Sequence, residues 1–138
     1  MYLATKKKIK GFTLIELLVV VALLGILSAI GVTSYQGYTW SAKKKDAELS
    51  LNSILLANEE YASDNGEYYY ITVSGASSGK IEEDLLDGKE VLPKDDWEFG
   101  INGNESNQTL EIIASHKTKT CTLTLTEKMK LTPDGPDC

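Results

Sequence analysis

Hydrophobic positions are spread unevenly along the 138 residues. From Phe12 to Val32 the chain is dominated by Leu, Ile, Val and Ala. Glu16 is the one charged residue in that run, and from Leu17 to Ala42 there is none. At about 1.5 Å per helical residue the run spans roughly 31 Å, close to the hydrocarbon thickness of a bilayer. It contains no proline, and a helix there satisfies its own backbone, as an apolar medium requires. Beyond it the apolar residues thin to a stripe. Tyr35, Tyr38, Ala42, Leu49, Leu51, Ile54, Leu55, Leu56 and Tyr61 recur at three- and four-residue spacings, the period of a half-buried helix. Lys44 and Glu48 stand at i, i+4, and Asp64-Asn65-Gly66 reads as a stop. One helix over residues 12–63 is predicted.

The pattern then changes. Residues 64–97 read as a linking region, with Ser74 to Gly79 a flexible loop, a short helix over 81–87 and a turn at Pro93. Alternation over Trp97 to Ile101, Leu110 to Ala114 and Thr120 to Thr126 predicts three strands, with a turn at Asn102-Gly103-Asn104. Thr132 to Cys138 reads as a turn-rich tail. The expected fold class is α+β: a long N-terminal helix packed against a small antiparallel sheet.

Charge sharpens the division. The net charge is −6, yet Lys6, Lys7, Lys8 and Lys10 all precede the apolar run. Without residues 1–11 the balance is 10 Lys against 20 acidic residues. So acidic a body repels phosphate backbones, and nucleic acid is not indicated as a partner. Cys121 and Cys138 are the only cysteines. Their spacing is no CxxC motif, and an even count in an exported chain suggests a disulfide, whereas a cytosolic chain would keep two thiols.

The basic-then-apolar order is that of an export signal, with lysines held on the cytoplasmic side. Glu16 is the anomaly, because a carboxylate at mid-bilayer costs roughly 2.5–3.5 kcal/mol and less near an interface. A cut between Gly11 and Phe12 would create an α-amino group one turn away. A free amine on a neighbouring copy could then pair with Glu16 and fix the axial register between helices. An ordinary signal peptide cleaved at Ala29-Ile30-Gly31, or a plain single-pass anchor, leaves Glu16 unexplained.

The stretch from Lys10-Gly11-Phe12-Thr13-Leu14-Ile15-Glu16-Leu17-Leu18 through Ile30 resembles the type IV prepilin signature. The resemblance implies a leader at 1–11, cleavage by prepilin peptidase between Gly11 and Phe12, N-methylation of Phe12, and an assembly role for Glu16. It implies that residues 12–32 form the membrane span of the precursor and the core of a filament, and that residues 64–138 complete a head. A Cys121–Cys138 bridge closing the tail is similar to the C-terminal layout of type IV pilins. Many members have proline where Thr33 stands; here Gly25 and Gly31 are the weak points of the helix.

Other candidates have plainer readings. His116 reads as a surface histidine at a strand end. Tyr68-Tyr69-Tyr70 is either an adhesive aromatic run or packing under the loop. Lys43 to Lys45 are expected to pair with acidic groups of neighbouring subunits. Asp134 and Asp137 are weak evidence for Ca²⁺ without an EF-type loop. Asn104-Glu105-Ser106 and Asn107-Gln108-Thr109 match the glycosylation sequon by chance. With no nucleophile motif or metal-ligand cluster, no enzymatic activity, cofactor or metal is expected.

Three functions compete. The first is a pilus subunit: a homo-oligomeric filament at the cell surface for adhesion, motility or DNA uptake, built by inner-membrane assembly machinery from a precursor in the bacterial inner membrane. The second is a pseudopilin of a type II secretion system. The third is a membrane-anchored binding module that never assembles. The cysteine pair favours the first over the second.

Overall fold

In the computed structural model, residues 11–104 and 109–138 are described. Six elements follow in order: helix α1 (Leu14–Asn65), helix α2 (Ser77–Leu85), and strands β1 (Trp97–Asn104), β2 (Thr109–His116), β3 (Thr122–Thr126) and β4 (Leu131–Asp134). The chain forms two compact units that divide after Trp40.

The described part of the first unit is the apolar half of α1. It has no polar face to set against a core, and its large side chains are exposed, Leu14 and Leu27 among them. The helix runs unbroken through Gly25, Gly31 and Thr33. Each hydrogen-bonded residue adds to a cooperative array, so two glycines at roughly 1 kcal/mol each weaken it without ending it.

The second unit is built around one face of a four-stranded antiparallel sheet in the order β1-β2-β3-β4. Register explains the face: Phe99 opposes Ala114, Ile101 opposes Ile112, and these oppose Leu123 and Leu125 on β3. All six are buried, as alternation requires. Ala47, Leu51, Ile54, Leu55 and Asn58 of α1 are buried as well, at the spacing of one helical face. The second half of α1 packs this face against the sheet. The helix ends at Gly66, whose φ of +83° suits the left-handed C-terminal cap and whose N–H bonds the Ala62 carbonyl at 2.8 Å. Asn58, fully buried, then clamps the returning chain: its Nδ2 donates to the Tyr69 carbonyl (3.1 Å) and its Oδ1 accepts from the Tyr69 N–H (2.8 Å).

Three expectations are corrected. The segment from Ser74 is not a flexible loop, and the short helix starts at Ser77 rather than at residue 81. Ser77 and Ser78 are buried against the edge of β1. The Ser77 hydroxyl donates to the Phe99 carbonyl, while Ser78 Oγ accepts from the Phe99 N–H (2.8 Å) and donates to Glu98 Oε1 (2.9 Å). Two hydroxyls thus satisfy an edge where a further strand would otherwise lie. Close approach of the linking chain is possible because residue 100 is Gly: a Cβ there would lie 2.5 Å from Val73 Cγ2. Second, Asn102-Gly103-Asn104 continues β1 and is not its turn. Third, the tail contributes a fourth strand, Leu125 opposing Leu131 and Leu123 opposing Pro133. Pro133 is tolerated because β4 is an edge strand.

Candidate assembly site at the start of the first helix

Gly11, Phe12 and Thr13 precede α1 as exposed, non-helical chain. Thr13 is the N-cap and Glu16 the third residue of the helix. The Glu16 N–H bonds Thr13 Oγ1 at 3.3 Å, and Glu16 Oε2 accepts from the Thr13 N–H at 2.9 Å and from its hydroxyl at 2.6 Å. This is a reciprocal capping box. It satisfies donors that a helix start leaves open and holds the carboxylate over the positive end of the helix. Both bonds use Oε2; Oε1 has no hydrogen-bond partner among the described residues. The site therefore presents one engaged and one open carboxylate oxygen at the head of an uncovered apolar rod.

Glu16 stands out in the sequence and Thr13 does not. The signal was present, since Thr13-Leu14-Ile15-Glu16 is the [ST]-x-x-[DE] pattern of a capping box. Phe12 is 77% exposed, so neither it nor Gly11 is shielded from an enzyme. An 18-residue window of α1 has a mean hydropathy of 2.7, and none of it is buried within the chain.

The other candidates lie in the second unit. A disulfide joins Cys121 and Cys138, with Cα atoms 4.9 Å apart, and ties the chain after β4 to the start of β3. Asp137 Oδ2 adds a bond from the Thr120 N–H at 2.8 Å. Lys43 to Lys45 do not await neighbours as expected. Lys43 pairs with Asp96 at 2.8 Å, Lys44 donates to the Cys138 carbonyl at 2.6 Å, and Lys45, not Lys44, pairs with Glu48 at 2.6 Å. The fold delivers Asp96 and Cys138 from far along the chain, which local spacing does not register. His116 is half-buried. Its ring meets Trp97 edge-on at 4.9 Å, and Nδ1 accepts from the N–H groups of Thr118 (3.2 Å) and Lys119 (3.0 Å). Tyr69 packs on Tyr61 and donates to Asp84 at 2.6 Å; burial first, then that bond, pushes its hydroxyl up to about 12. Tyr68 reaches the Glu59 carboxylate. Both rings are thus used within the second unit, the plainer of the two readings.

Glu82 is buried at the end of α2. Its Oε1 accepts from the Val91 and Leu92 N–H groups, each at 2.8 Å, and its Oε2 meets Lys94 at 2.5 Å. Burial pushes its carboxyl up, but these donors outweigh that and hold it below the usual carboxylate range. No metal-holding cluster of His, Cys, Asp or Glu occurs among the described residues. The lysines of residues 6–10 lie outside the described residues, as do positions 105–108 of the two sequons.

Residues 6–32 match the family model described as the prokaryotic N-terminal methylation motif. The chain is 38% identical over 113 residues to a fimbrial protein of Pseudomonas aeruginosa, covering 77% of this chain and 67% of the relative. The chain belongs to the type IV pilin family. It is also 32% identical over 111 residues to the type IV major pilin protein PilE1 of Neisseria gonorrhoeae, covering 76% of this chain and 52% of that one. A fimbrial protein of Neisseria meningitidis serogroup B is 38% identical over 82 residues, 59% of this chain and 46% of that one. This pilin-family chain thus spans about half the length of the first curated relatives it matches. No solved structure gives a significant match.

Proposed function

We propose that this chain is a structural subunit of a type IV pilus that polymerises through its apolar N-terminal helix. The observation that carries the reading is the capping-box carboxylate of Glu16, with Oε1 open, at the head of a helix whose apolar surface nothing among the described residues covers. Before assembly the rod lies in the inner membrane. Lipid tails are as apolar as leucine, so leaving them for a bundle of helices gains little from hydrophobicity. The specific attraction must come from a polar pair. Prepilin peptidase cuts between Gly11 and Phe12, Phe12 is methylated, and its amine remains cationic. The amine of one subunit meets the Glu16 Oε1 of the next, at a low dielectric where the pair is strong and an unpaired charge is costly. Inner-membrane assembly machinery then extrudes the filament, with the acidic heads outward at the cell surface.

Mass spectrometry of the purified protein tests the processing. A chain beginning at Phe12 and heavier by one methyl group is expected, and a functional protein retaining residues 1–11 overturns it. Electron microscopy of sheared surface fractions tests assembly. Filaments containing this chain are expected, whereas only membrane-bound monomer would indicate an anchored module.

A further inference from the structure

Among the described residues of the second unit, four large hydrophobic side chains are exposed: Leu49, Leu56, Val91 and Met129. Leu49 and Val91 line one groove of about 410 Å³ between the second half of α1 and the chain that follows α2. Asp46 and Glu90 stand on the same groove. Ser50 and Ser53 line it too, so its surface mixes apolar and polar groups with two carboxylates, of which Glu90 also reaches Lys94 at 3.6 Å. Met129, 63% exposed, occupies the tip of the β3–β4 hairpin at a φ of +57°, pinned by its N–H to the Thr126 carbonyl (2.9 Å). Lys128 and Lys130 flank it, both exposed and without an ion pair among the described residues. Three-residue hairpin loops place their last residue in the left-handed region; a methionine there, where glycine is the easier residue, leaves an apolar side chain exposed at the tip.

We infer that the Lys128-Met129-Lys130 tip of one subunit docks in the Leu49–Val91 groove of a second copy, with the two lysines facing Asp46 and Glu90. The complementarity is twofold: an apolar knob for Leu49 and Val91, and two cations for Asp46 and for Glu90, whose 85% exposed side chain holds Lys94 only at 3.6 Å. The placement is also that of an open assembly. The groove adjoins the chain leading into Trp97, the first residue of β1. Thr126, from which the tip departs, aligns through Glu111 with Asn102, roughly 17 Å further along β1 at 3.4 Å per residue. Knob and groove thus lie toward opposite ends of the strands, the two separate sites that a propagating, heterologous contact requires. This inference rests on the pilus reading and adds the head-to-head contact that the N-terminal helices do not provide.

The test uses the full chain expressed in cells that assemble filaments. Lys128→Glu with Lys130→Glu is expected to cut sheared filament yield by roughly tenfold or more, since like charges would face each other. Adding Asp46→Lys and Glu90→Lys to the same chain is expected to restore it. A second measurement keeps the native charges: chains carrying Val91→Cys and Met129→Cys are co-expressed and their filaments mildly oxidised. A disulfide-linked dimer is expected that neither single variant forms. Wild-type yield from the charge-reversed tip together with no dimer overturns the docking while leaving the pilus reading intact. Absence of filaments from the wild-type chain overturns both.

Discussion

Thr13 and Glu16 satisfy each other: the hydroxyl of Thr13 accepts from the Glu16 N–H, and the carboxylate of Glu16 accepts from the Thr13 N–H. Glu16 therefore has two separable tasks, capping its own helix and offering charge to a neighbour. Glutamine keeps the first and loses the second, because its amide oxygen still accepts in a capping box. Alanine at position 13 removes the cap and leaves the charge.

Glu16→Gln is expected to leave cleavage after Gly11 intact and to lower filament yield by roughly tenfold or more, the effect of losing an ion pair worth over about 1.4 kcal/mol. Glu16→Ala is expected to do the same. Immunoblotting of processed chain alongside sheared filament reads both quantities. Normal filament yield from the glutamine variant would remove the charge from the mechanism.

Thr13→Ala is expected to destabilise the helix start by about 1 kcal/mol. In detergent micelles the amides of Glu16 and Leu17, which bond Thr13, should exchange about fivefold faster, while Thr13→Ser should exchange like the wild type. Equal exchange in all three chains would show that the hydrogen bonds to Glu16 contribute nothing in solution.

The first helix was legible because its two halves carry strong and different signals: an unbroken apolar run, then a stripe closed by Asn65-Gly66. Three strands were legible because their inward residues alternate, as Phe99, Ile101, Leu123 and Leu125 do. What was missed depended on contacts distant in sequence. Ser77 and Ser78 look like loop residues until β1 offers them the backbone of Phe99. Leu131 and Pro133 look like tail until β3 stands beside them. The Lys43–Asp96 pair joins positions 53 residues apart, beyond any local rule. Thr13 was different, since its motif was local and complete.

Replacing both Cys121 and Cys138 by Ser is expected to lower the stability of the second unit by about 3 kcal/mol, the loop-closure value for a loop of this size. The separation of 17 residues sets the size of that loop. Denaturant unfolding followed by the fluorescence of the buried Trp97 measures it. A change under about 0.5 kcal/mol would mean that β-sheet pairing alone secures the tail.

Glu82→Ala is expected to cost about 3 kcal/mol, because it strands the Val91 and Leu92 N–H groups. Glu82→Gln should cost less, since its amide oxygen still accepts one of those bonds. These groups hold the chain that forms one wall of the Leu49–Val91 groove, so the alanine variant should also weaken filament yield. Unfolding midpoints of the two variants give the order, and equal costs would assign the effect to lost packing.

Acid should destabilise the second unit in two steps. Burial lowers the His116 pKa from its ordinary 6.5; Asp96 opposes the shift and Lys119 adds to it. The accepting bonds at Nδ1 also favour the neutral ring. The unfolded chain then binds a proton that the folded chain refuses, so stability is full above 6.5 and falls as pH drops toward the lower folded value. Glu82 is held below its ordinary 4.5. Its contribution is complete above 4.5 and is lost as pH falls through the folded value. Thermal unfolding of the full chain in micelles, scanned from pH 8 to about pH 3, should show both declines. His116→Phe, which keeps a ring against Trp97, should remove the first, and Glu82→Gln the second. If His116→Phe leaves the upper decline unchanged, then the proton taken up near neutrality belongs to a group other than this imidazole.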